Sequence, residues 1–351
     1  MSISLFFKYR VVLFKSFLLE KKHSIKCLYR KFIIGKRTFY NPSTHTGDLP
    51  VRVLKHNVTY WLQTVSPQFY VILINQIQNN GLQAGLEYDC DRQKIIHAAR
   101  VNAASINSAR KISIYETFNA YLWGICYSLF VTFDEVVQKP HLRGTYSGKF
   151  DVSNQQVDAA KNVFFYAMSL KDKYSSWDKK LPNPESFSCK YAYYVERTNS
   201  LFTSAMYFVL CHEIGHSYYN HVNYVPATAS QSLQEELDAD NFALDQVMSC
   251  NNKELIPTLK HGAVAGMCAL LFLSPKLYQG GTYPDADSRI RNVMEKLELK
   301  DLDLQWGMAS LAFRLWGNYY GIDFDLPKTS ENYSETFYDI LFKLNEIKRN
   351  E

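Results

Sequence analysis

The chain has 351 residues, 47% hydrophobic and 15% aromatic, with only 15 Gly and 11 Pro. That is enough apolar material for one large core or two smaller ones, and it excludes a disordered, low-complexity or repetitive chain. The net charge of +5 is uneven: residues 1–40 hold ten Lys or Arg against the single acid Glu20, a balance of +9, while the remaining 311 hold 29 basic and 33 acidic side chains, a balance of −4.

Residues 1–45 read as a basic N-terminal extension. Lys8, Arg10 and Lys15 interrupt every apolar stretch before it reaches signal-peptide length. A solvated extension is expected; the alternative is a basic amphipathic helix that touches anionic lipid or nucleic acid. Residues 46–152 read as a mixed α/β part. Strands are expected at 51–54, at 69–74 and over the alternating run Lys111–Tyr115 (KISIY). A long helix from Glu116 is expected to end before Lys139-Pro140, with a loop over 141–152.

Ser153 with Gln156 fits a capping box that opens the next helix. The stretch 174–190, with Pro182 and Pro184, reads as a loop. Residues 153–351 are otherwise mainly helical in pattern, with helices at about 196–221, 233–249, 258–274, 284–297, 302–320 and 331–347. Pro284 suits a first turn and Gly321 a C-terminal cap. The class is α+β, a small mixed N-terminal β part followed by a mainly helical part. Residues 117–133 and 262–275 fall short of the ~20 apolar residues of a membrane span, so core helices are expected. Seven cysteines without a CxxC pair suggest reduced thiols and a cytoplasmic protein.

The chemistry concentrates in His-Glu-Ile-Gly-His at 212–216. On a helix, His212 and His216 lie one turn apart on one face, where two imidazoles can share one zinc ion. Leu201, Ala205 and Phe208 extend that face backwards as an apolar stripe. Glu213 is the expected general base, taking a proton from the attacking water and passing it to the leaving amine. Downstream, Ser232 and Glu235 fit a second capping box, which leaves Glu236 to face inward as the third ligand. Asp240, one turn further on, is expected to accept the other ring N–H of a ligand histidine and fix its tautomer.

The run HEIGH, then His221, then E-x-x-A-D from Glu236 to Asp240, is similar to the gluzincin metallopeptidases, including the CAAX-prenyl protease group. It resembles more closely the Lit peptidase family, soluble bacterial proteins associated with phage exclusion. The likeness runs through 111–135, 175–187, the metal-site helices and YPDADSRI (283–290), about half to two-thirds of the chain. It implies a zincin-like metallopeptidase domain, His212, His216 and Glu236 as ligands of one Zn2+ per chain, and Glu213 as base. Related gluzincins carry His-Pro where this chain has Tyr283-Pro284; at this departure from the family pattern a second metal-contacting His is missing, and a Tyr283 hydroxyl can still donate to an oxyanion. Arg289 matches the Arg of the segment, either positioning substrate or forming a structural ion pair. His221 is expected to pack or hydrogen-bond beside the site without ligating.

The sequence therefore points to a zinc endopeptidase acting on a protein substrate, with Lys111–Tyr115 holding that substrate extended. The resemblance implies phage exclusion by cleavage of a translation factor, elongation factor Tu, and a phage-derived activator; neither a nucleic-acid nor a membrane partner is firmly indicated. The alternatives are a regulatory metallopeptidase that cleaves a repressor, and a non-catalytic zinc protein whose basic N-terminus binds membrane or nucleic acid.

Overall fold

The computed structural model describes residues 37–38, 40–89, 104–145, 153–224, 226, 228–277, 285–322 and 332–350. Most of the basic extension, Cys27, Cys90, Tyr283 and Pro284 lie outside the described residues. Helix dominates. After the two-residue strand β1 (Arg37–Thr38) come a 3-10 turn (Pro50–Leu54), α1 (Lys55–Thr64), α2 (Pro67–Gln78) and the strands β2 (Leu86–Asp89), β3 (Ser105–Ile106) and β4 (Ile112–Tyr115). Then follow α3 (Glu116–Thr132), a π-turn (Phe133–Gln138), α4 (Lys139–Arg143), α5 (Gln155–Ser169), β5 (Ser186–Phe187) and α6 (Cys189–Tyr218). A 3-10 turn (His221–Asn223) leads to α7 (Ala229–Met248), α8 (Ile256–Leu271), α9 (Ala286–Lys296), α10 (Leu304–Tyr320) and α11 (Tyr333–Asn350).

The organising element is α6. Every residue from Leu201 to Cys211 is buried, so this stretch is enclosed on all sides rather than amphipathic. Helices α3, α7 and α8 pack against it, and α5 backs α3. Two glycines permit these close approaches. A Cβ on Gly262 of α8 would overlap the Ser204 backbone of α6. A Cβ on Gly215 would stand 3.2 Å from the Cα of Ala239 on α7, tighter than packed atoms ordinarily sit. The Gly of HEIGH thus lets α7 lie close beside the two histidines.

The sheet is small, with order β2-β4-β3: β2 pairs parallel with the central β4, and β3 pairs antiparallel with it. A turn at Asn107–Arg110 joins β3 to β4, with Arg110 left-handed at φ 62°. β1 pairs antiparallel with β5 in a separate two-stranded ribbon.

Several sequence expectations need correction. Residues 51–54 and 69–74 are helical rather than extended. Pro50 and Pro67 take first-turn positions, and the Ser66 hydroxyl accepts from the Phe69 N–H at 3.2 Å. Local cap chemistry outweighs the β-propensity of the runs. Pro140 does not stop the long helix, because the π-turn precedes it and places it in the first turn of α4. Asn154, not Ser153, caps α5 through the Gln156 N–H at 2.8 Å. Helix α7 starts earlier than expected, under Thr228, whose hydroxyl accepts from the Gln231 N–H at 3.1 Å. Ser232 is therefore inside the helix, and Glu235 caps nothing.

Other expectations hold. β4, the start of α3 at Glu116 and the left-handed Gly321 that ends α10 are as read. The expected shortfall in span length does not hold, since the helix Glu116–Arg143 is long and apolar enough to cross a membrane; the expected core helix is nevertheless seen, with 83% of its apolar window buried within the fold. Among the described residues, Cys126, Cys211, Cys250 and Cys268 are free thiols.

Candidate active site

Helix α6 presents His212 and His216 toward α7, which returns Glu236 and Asp240. The two histidine Nε2 atoms stand 3.1 Å apart. Glu236 Oε2 lies 3.6 Å from His212 Nε2, and Oε1 lies 3.6 Å from His216 Nε2. Bonds of about 2.0–2.1 Å at tetrahedral angles set ligand atoms roughly 3.3 Å apart, which these spacings bracket. Among the described residues this is the only group of three His, Cys, Asp or Glu converging so. The donor set of two imidazoles and a carboxylate fits zinc, with room for a fourth ligand.

Both rings are oriented through their other nitrogen. His212 Nδ1 lies 2.9 Å from Asp240 Oδ1, and His216 Nδ1 lies 3.0 Å from His221 Nδ1. Each Nε2 is thereby left for a metal. Asp240, only 1% exposed, takes two N–H bonds from Arg289: Nε to Oδ2 at 2.8 Å and Nη2 to Oδ1 at 2.7 Å. Arg289 Nη1 also approaches Glu236 Oε2 at 3.4 Å. One guanidinium on α9 thus holds both Glu236 and Asp240 of α7.

The electrostatics follow from this wiring. Burial works against charge on Asp240, but Arg289 and His212 overcome it and hold the carboxyl well below its ordinary range. Burial likewise disfavours charge on His212, and the Asp240 contact outweighs it, so this pKa rises. His216 has no such carboxylate. Burial, with His212 and His221 adding, pushes it down to about 3, which keeps its Nε2 lone pair free at neutral pH.

Glu213 lies against the sheet. Its Oε2 accepts the Ile106 backbone N–H at 2.9 Å, from the edge strand β3. Burial pushes the Glu213 carboxyl up to about 7 against the pull of His212 and the Ile106 N–H, with Glu236 raising it further. A carboxylate near neutrality can both accept and return a proton at working pH. These groups face a cavity of about 560 Å³ whose apolar side includes Phe118, Phe208, Val209, Met267 and Leu270.

Residues 112–309 match the family described as Peptidase U49. The chain belongs to this peptidase family. The matched span covers more than half of the sequence and holds β4, α6, α7 and α9, hence every side chain of the cluster. Membership makes a protein or peptide the class of substrate. No curated protein and no solved structure matches the chain.

The structure brings His212, Glu213, His216, Glu236, Asp240 and Arg289 into one site, whereas Tyr283 lies outside the described residues. Of the two roles open to Arg289, the geometry shows an ion pair with Asp240. Three contributors went unread in the sequence. The Ile106 N–H is a backbone group with no residue signature. Glu235 lines the cavity, 8% exposed, with Oε1 lacking a hydrogen-bond partner. Gly215, within the recognised run, shows its purpose only once α7 is in place. The expected substrate strand also shifts: β4 has neighbours on both edges, so among the described residues the free edge beside Glu213 belongs to β3.

Proposed function

We propose that the chain is a zinc-dependent endopeptidase in which His212, His216 and Glu236 hold one Zn2+ and Glu213 is the general base. The observation that carries this is the convergence of two Nε2 atoms and one carboxylate at 3.1–3.6 Å, with a buried glutamate next in sequence facing the same cavity. When bound, zinc supplies Lewis acidity to the water and to the scissile carbonyl. Glu213 takes the proton of that water and delivers it to the departing amine, so the base of one step is the acid of the next. Asp240 and Arg289 keep the His212 ring and the Glu236 carboxylate aimed. The substrate lies extended along the free edge of β3, pairing through main-chain groups. Tyr283, which stands where related gluzincins have a His, is assigned the hydroxyl that donates to the developing oxyanion, on the chemistry of its side chain alone.

The resemblance to the Lit peptidases supports a cytoplasmic role in phage exclusion, with elongation factor Tu as substrate and a phage-derived activator. The test is incubation of zinc-loaded protein with purified elongation factor Tu, with and without extract of phage-infected cells as the source of activator, followed by mass spectrometry of the fragments. A single new cleavage absent with Glu213→Gln supports the assignment. Intact substrate in both arms removes this target. Bound zinc with no turnover of any protein would favour the non-catalytic alternative.

A further inference from the structure

We infer that His221 is the positioning residue of His216, doing for the second histidine what Asp240 does for the first. This rests on the metal reading above. Helix α6 ends at Tyr218, and Asn220, left-handed at φ 62°, folds the chain into the 3-10 turn His221–Asn223. That reversal brings the His221 ring back against His216, with ring centroids 5.2 Å apart at 68° and the two Nδ1 atoms at 3.0 Å.

Two ring nitrogens at hydrogen-bond distance share one proton, so one donates and the other accepts. The Nε2 of His216 points to His212 and Glu236 and must be unprotonated to bind a metal. Its proton then sits on Nδ1 and is donated to His221, which accepts through a bare Nδ1 and carries its own proton on Nε2. One contact sets both tautomers.

The turn is braced for this duty. The Tyr219 ring stacks on His221 at 5.7 Å and 24°. Arg110, at the tip of the β3–β4 hairpin, donates to Asn223 Oδ1 at 2.8 Å and to the Asn80 carbonyl at 3.1 Å. The two outer partners nevertheless differ. Asp240 is a buried anion locked by Arg289, whereas His221 is a half-buried ring on a three-residue turn.

The experiment compares His221→Leu and His221→Asn in tag-free protein. Zinc affinity is measured by competition with a chromophoric chelator, and the melting temperature of each metal-free protein is recorded alongside. Leu, which cannot accept the His216 N–H, is expected to weaken zinc about 10–100-fold with the metal-free melting temperature unchanged. Asn, whose amide oxygen can accept it, is expected to recover most of the affinity. Unchanged zinc affinity in His221→Leu overturns the inference. So does an equal loss in both variants accompanied by a lower metal-free melting temperature, which would mark His221 as structural. If the unsubstituted protein takes up no zinc, the metal reading itself falls and the role of His221 with it.

Discussion

The helical wall and the strand wall of the cavity are built from different kinds of group. On the helical side, α6, α7 and α9 contribute seven ionisable side chains held by buried backbones, close glycine packing and the Arg289–Asp240 pair. On the strand side, β3 contributes a two-residue edge whose Ile106 N–H reaches Glu213. The helices fix charges in place, as a metal site requires, while the strand leaves main-chain groups near an edge, as an extended peptide requires. Glu213 belongs to the first wall by sequence and touches the second by hydrogen bond. It is where metal and substrate would meet.

Removing a ligand should break the helical wall outright. Glu236→Ala and His212→Ala are expected to abolish zinc uptake and all hydrolysis, read by metal analysis and fragment assay. The neighbouring Glu235→Ala should keep its zinc, since that side chain bonds to neither histidine. Zinc kept in Glu236→Ala and lost in Glu235→Ala would show that the wrong carboxylate has been assigned. Glu213→Gln should retain zinc and lower the rate about 10²–10⁴-fold. Normal turnover in that variant would remove Glu213 as base.

Arg289→Met strikes the support rather than the ligands. It strips the buried Asp240 of its paired charge, and a cost of about 3–5 kcal/mol is expected in chemical denaturation of the metal-free protein. Asp240→Asn in the same chain should recover much of that loss. No destabilisation would mean that Asp240 takes up a proton or gains solvent. Gly215→Ala tests the spacing of α6 and α7 and is expected to cost about 1 kcal/mol with a measurable loss of zinc affinity. Unchanged affinity would show that α7 can yield without moving Glu236.

The smallest effect should come from the strand. A base with its carboxyl near 7 must lose its proton to act, so kcat/KM should fall as pH drops through an acid limb at or below that value, since bound Zn2+ draws it downward. The Ile106 N–H favours the charged carboxylate. Ile106→Pro removes that donor at an edge position and should shift the limb upward while leaving zinc in place. A limb that stays put would detach β3 from the base.

Legibility in the sequence differed between the two walls for a physical reason. The histidines, Glu213, Glu236 and Asp240 were readable because helical spacing at i and i+4 turns a linear pattern into a face. The sequence singles out Glu236 through a cap at Ser232, and the structure moves that cap to Thr228. The strand wall was harder to read. KISIY identified β4 but not which of its neighbours would be the edge, because strand order depends on contacts distant in sequence. Residues 51–54 and 69–74 carried strand-like composition, yet proline and serine at their starts made them helical. His221 was placed beside the site, but its pairing with His216 depended on the left-handed Asn220, which no periodicity announces.

The most direct measurement is the metal content of protein purified without affinity-tag histidines or added metal. About one zinc per chain, absent from His212→Ala, is the predicted result. No bound metal, and no uptake on titration with zinc at neutral pH, would contradict the account.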